Sequence, residues 1–153
     1  SSAASDVYKR QEKLNERKVP AMAFFHMPPA EFKEAYEKMK LGDHTVIYEH
    51  GSIGEKDEYF GISNRPPHFF EKAVDNGWLK WIFCGHDHLN TLSLTYKGIR
   101  MTYGMSIDYL GYSGIAKQYI QRGATLITRK TNGNMDITMV PLTTVVSTRV
   151  RGA

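Results

Sequence analysis

Two short apolar runs, residues 19–25 and 78–84, punctuate the chain, and each gives way to a histidine-bearing turn. Runs this short predict strands, and that at 19–25 has the length of a strand buried on both faces. Between them the period changes. Phe32, Ala35, Tyr36 and Met39 recur at three-to-four spacing and predict a helix over residues 30–40, with Pro29 just ahead of its first turn. Pro66-Pro67 opens a second helix reaching Asn76, with Phe69, Phe70, Ala73 and Val74 as its apolar face and Gly77 as its stop. Downstream, residues 91–96 and 99–103 predict a hairpin about Lys97-Gly98, and residues 124–129 and 135–140 another about Thr131-Asn132-Gly133-Asn134.

Residues 42–65 are polar and glycine-punctuated, which predicts a long loop, functional or mobile, with a short strand at 45–48. Residues 104–123 form a second loop whose Tyr109, Tyr112 and Tyr119 either line a pocket or pack beneath the glycines. The order strand, helix, loop, helix, strand, then antiparallel strands predicts an α/β fold in layers.

Composition narrows the partners. Hydrophobic residues are 41% and charged residues 24% of the 153, the balance of one globular domain with a sizeable core. No apolar run nears the roughly 20 residues of a membrane helix, so no membrane partner is expected for this segment. The net charge of +4 is scattered rather than gathered into a basic stripe, and no specific nucleic-acid binding is expected. A single cysteine, Cys84, excludes an internal disulfide and a cysteine-rich zinc site. The opening Ser1-Ser2-Ala3-Ala4-Ser5-Asp6-Val7-Tyr8-Lys9-Arg10-Gln11 resembles the in-frame translation of a transposase adapter used in preparing sequencing libraries. On that reading residues 1–11 are a non-native tail, native sequence starts near Glu12, and the parent protein is longer.

Candidate chemistry concentrates in Gly85-His86-Asp87-His88. Glycine permits an unusual backbone angle, and two imidazoles two residues apart in a turn diverge toward neighbouring points. Imidazole is a neutral ligand for Zn, Fe or Mn, and two ions roughly 3.5–4 Å apart hold both the nucleophile and the phosphoryl oxygens of an in-line displacement. Against this, a lone histidine after an apolar run is more often packed or hydrogen-bonded than ligating. The recurrence of the arrangement after two predicted strands favours His26, His86 and His88 as ligands. Asp87 is expected to point outward or to orient an imidazole, and His44, His50 and His68 to be solvated.

The stretch Pro20-Ala21-Met22-Ala23-Phe24-Phe25-His26-Met27-Pro28, then Gly85-His86-Asp87-His88-Leu89-Asn90, Tyr96-Lys97-Gly98-Ile99, Tyr103-Gly104 and Arg122-Gly123-Ala124 resemble, in order, C-terminal blocks of calcineurin-like metallophosphoesterases. The purple-acid-phosphatase-like branch is the nearest, over residues 19–130. This resemblance implies that residues 12–153 are the second half of a four-layer α/β/β/α sandwich. It implies two divalent or trivalent transition-metal ions (Fe, Mn or Zn), with His26 and His86 on one and His88 on the other. It further implies hydrolysis of phosphate-ester substrates by metal-bound hydroxide, with Asn90 contributing to substrate binding, although Thr91 stands where the branch has aspartate. The family's Asp-x-His, Gly-Asp-x-x-Asp and Gly-Asn-His-Asp/Glu blocks have no counterpart in residues 12–25. The parent is therefore expected to be the active phosphoesterase and this fragment to be inactive, with no catalytic residue assigned in it. The alternative is a complete, non-catalytic binding or scaffold domain keeping one weakly held ion.

Overall fold

The structure, a computed structural model, describes residues 19–62, 68–108, 111 and 122–142. In chain order it contains β1 (Ala21–Phe24), α1 (Ala30–Lys40), β2 (Val46–His50), α2 (His68–Asn76), β3 (Leu79–Cys84), β4 (Ser93–Tyr96), β5 (Ile99–Tyr103), β6 (Gly123–Arg129) and β7 (Met135–Pro141). The first five strands form one mixed sheet in the order β1-β3-β5-β4-β2, while β6 and β7 pair as a separate antiparallel ribbon. Strands β1, β3 and β5 run parallel, so their carboxyl ends share one edge; β4 and β2 run antiparallel to their neighbours. The adapter-like residues 1–11 and the tyrosines at 109, 112 and 119 lie outside the described residues.

The core lies between one face of this sheet and the helices. Ile82, Leu94, Tyr96, Ile99, Met101 and Tyr103 alternate onto that face, and Phe32 and Ala35 of α1 with Phe70 and Ala73 of α2 close over it. The ring of Phe32 stacks on Tyr103 at 4.9 Å and that of Phe70 on Tyr96 at 6.3 Å. Register is set at the β4–β5 turn, where Lys97 and Gly98 both have positive φ (49° and 76°), as a two-residue hairpin requires.

The opposite face of the sheet departs from expectation. The apolar run before His26 predicts a strand covered on both sides, yet β1 is an edge strand with Met22 38% and Phe24 62% exposed. Phe24 stacks on Phe83 of β3, at 5.1 Å. Beside them an apolar groove of about 420 Å³ is lined by Phe25, Phe83, Met105, Ile107 and Ile127. An unbroken apolar run reports a tendency to be covered, but it cannot report whether anything among these residues covers it.

Candidate metal centre

Parallel pairing brings together the histidines that the chain separates. Beyond β1 the ladder continues: Phe25 N–H donates to the Phe83 carbonyl (2.9 Å), and Gly85 N–H donates to that of His26 (3.0 Å). The two strand ends are thus zipped side by side, and His26 Nε2 faces His86 Nδ1 at 3.1 Å with the rings edge-on, 84° apart. Both imidazoles are exposed. The turn between β3 and His88 is tight. Asp87 N–H donates to the Gly85 carbonyl (2.9 Å) around His86, whose φ is 72°. A two-residue hydrogen bond about a positive-φ centre is the strained form of the γ-turn. The unusual backbone angle expected of Gly85 therefore falls on His86 itself, where a side chain makes it costly.

Asp87 does not point outward. Only 6% exposed, it accepts Tyr103 O–H (2.5 Å) and Gly61 N–H (2.9 Å) on Oδ2. Burial, and then this bond to Asp87, push the Tyr103 hydroxyl well above the usual tyrosine range, so it stays a donor. His88 turns to other partners: its Nδ1 lies 3.4 Å from Asp108 Oδ2, and its carbonyl accepts Arg122 Nη1, from a side chain only 1% exposed. Of the remaining histidines, His44 and His68 are exposed, but His50 is half-buried and neither nitrogen is hydrogen-bonded among the described residues. Burial holds His50 below the usual histidine range, so it is not the solvated residue expected.

Residues 52–61 prove to be a strap laid across the histidine turn. Asn90 is fully buried; its Oδ1 accepts Gly54 N–H (3.0 Å) and Glu55 N–H (3.1 Å), and its Nδ2 donates to the Tyr59 carbonyl (3.1 Å). Glu55 Oε1 returns a bond to Leu89 N–H (3.0 Å), and Thr91 N–H donates to the Ser52 carbonyl (2.9 Å). Glycines permit the contact. A Cβ on Gly54 would lie 2.4 Å from the Leu89 carbonyl oxygen, and one on Gly61 would lie 2.0 Å from the His86 ring. Sequence reading missed Gly61 and Asp108 and named Tyr103 and Arg122 only within family-like blocks, without a role; the glycine spacing in this loop was a signal of a close backbone approach.

The fit of these residues to an ion is partial. Two nitrogens on one tetrahedral or octahedral ion, each at about 2.0–2.1 Å, lie roughly 2.8–3.4 Å apart, and the 3.1 Å between His26 and His86 falls inside that range. Among the described residues no group of three or more His, Cys, Asp or Glu side chains converges to complete a shell.

Comparison with known proteins agrees with the sequence blocks in part. Over 93 residues, 61% of the chain, it is 28% identical to "Probable inactive purple acid phosphatase 29" and 32% identical to "Probable inactive purple acid phosphatase 28", both of Arabidopsis thaliana. Over 47 residues it is 38% identical to "Probable inactive purple acid phosphatase 14" of the same plant. The matched region spans only about a fifth of the length of the first two, 21% and 20%. No family model and no solved structure matches the chain. Over some three-fifths of its length, then, the chain is distantly similar to plant purple acid phosphatases that are named as inactive.

Proposed function

We propose that the chain is the C-terminal portion of a metal-dependent phosphoesterase, hydrolysing phosphoric esters in its longer parent. The carrying observation is the facing of His26 Nε2 and His86 Nδ1 at 3.1 Å, on the carboxyl ends of adjacent parallel strands. These two hold one ion and His88 holds the second, with Fe, Mn or Zn all compatible with the donors. When bound, the ions supply a nucleophile at neutral pH and stabilise charge on the phosphoryl oxygens. The chain's own residues orient the donors: the β1–β3 ladder sets His26 beside His86, and Asp108 lies against His88. The open face around Met22 and Phe24 is where the other half of a four-layer sandwich would pack, so the fragment is expected to associate with itself and to lack turnover.

The test uses both lengths. The parent, extended upstream, is expected to hydrolyse an aryl phosphate with added Mn or Zn and to lose that activity in His86→Ala. Turnover by the 153-residue chain alone, abolished by His86→Ala, would overturn the division of the site. A second reading is favoured by one observation: His88 faces Asp108 rather than the His26–His86 pair. On it the chain is a non-catalytic binding domain with one ion. A parent binding a single equivalent of metal, with no hydrolysis, would select that reading.

A further inference from the structure

We infer that Asp87 is the positioning residue of this centre, a buried carboxylate that holds His86 in its strained turn with Nδ1 directed at His26. The inference rests on the metal-binding reading of that pair, and three contacts carry it.

The first is the strain itself. A non-glycine residue at φ 72° inside a two-residue hydrogen-bonded turn persists only where its surroundings over-determine it. The residue that closes this turn is Asp87, whose own N–H makes the bond to the Gly85 carbonyl. The second is the anchoring of its side chain from two elements. Tyr103 at the end of β5 and the Gly61 backbone of the strap both donate to Oδ2, at 2.5 and 2.9 Å, inside the protein. A buried carboxyl oxygen that accepts two donors from two elements ties both to the turn. The third is the contact between Gly61 and the His86 ring. The position a Cβ would take on Gly61 is 2.0 Å from His86 Cδ2, 2.6 Å from Nε2 and 2.7 Å from Asp87 Oδ1. The carboxylate thus draws in the backbone segment that backs the Cδ2–Nε2 side of the imidazole, the side away from Nδ1. Carboxylates that orient a metal-binding imidazole typically change metal affinity by about 10–100-fold when deleted, and Asp87 reaches His86 through the Gly61 backbone.

Zinc affinity of the 153-residue chain, measured by competition with a chromogenic chelator, tests this in wild type, Asp87→Ala, Asp87→Asn, Tyr103→Phe, His86→Ala and the core control Ile82→Val. Asp87→Ala is expected to weaken zinc by about tenfold or more. Asp87→Asn, whose amide oxygen still accepts both donors, is expected to keep most of the affinity, and Tyr103→Phe to fall between. Ile82→Val, lowering the melting temperature without touching the turn, is expected to leave affinity unchanged. In the metal-free chain, the close approach of Gly61 to the His86 ring is expected to give a nuclear Overhauser contact between Gly61 Hα and His86 Hδ2 in wild type and to lose it in Asp87→Ala. Wild-type affinity and an intact Gly61–His86 contact in Asp87→Ala would overturn the positioning role while leaving the metal centre standing. Equal zinc affinity in wild type and His86→Ala would instead overturn the metal centre itself, and the inference with it.

Discussion

Asn90→Ala separates a structural from a substrate-binding use of that residue. The side chain is fully buried and makes three hydrogen bonds, to Gly54 N–H, Glu55 N–H and the Tyr59 carbonyl, across more than thirty residues of chain. At about 1 kcal/mol net for each bond, truncation costs about 3 kcal/mol, and the two amides left behind must find water or remain unsatisfied. With a urea slope of about 1.5 kcal/mol/M the unfolding midpoint falls by about 2 M. Hydrogen exchange gives the local reading: the Gly54 and Glu55 amides, protected in the wild type, are expected to exchange near the rate of an open loop. Thr91→Ala is the comparison. Its hydroxyl accepts Ser52 N–H at 3.2 Å in an exposed setting, and its loss is expected to cost under about 0.5 kcal/mol. A shift below about 1 kcal/mol for Asn90→Ala, with unchanged exchange at residues 54 and 55, would refute the claim that Asn90 holds the strap.

Three further outcomes follow from the same geometry. Gly51→Ala places a Cβ 2.0 Å from the Thr91 carbonyl oxygen at φ 81°, where neither backbone can yield; a loss of about 2–3 kcal/mol in chemical denaturation is expected, and a neutral result would contradict the close approach. His50 is depressed by burial, so the folded state resists its protonation: its contribution is intact above the ordinary histidine pKa of about 6.5 and is lost as pH falls through the lowered value. His50→Gln should therefore become progressively more stable relative to wild type below pH 6.5, and parallel stability–pH curves would argue against it. Cys84 is buried, and burial followed by the nearby Asp87 pushes its thiol up, so a thiol-specific reagent is expected to label it only on unfolding.

Local periodicity carried most of the secondary structure. The helix expected over residues 30–40 is Ala30–Lys40, and the strand expected over 99–103 is Ile99–Tyr103, because a helical stripe and a strand alternation are each written in consecutive residues. The placement of the candidate histidines was legible for the same reason: His26, His86 and His88 each follow a strand that the apolar runs announce. Their relations were not. That His26 meets His86 depends on β1 lying parallel beside β3, a pairing between segments some sixty residues apart that no local pattern encodes. That Asp87 turns inward depends on Tyr103 arriving from β5 and Gly61 from the strap, and a carboxylate goes where its donors are. Sequence alone determined which histidines were candidates and which elements bear them; only the tertiary structure decided which two imidazoles face each other, because that depends on strand order and register rather than on spacing along the chain.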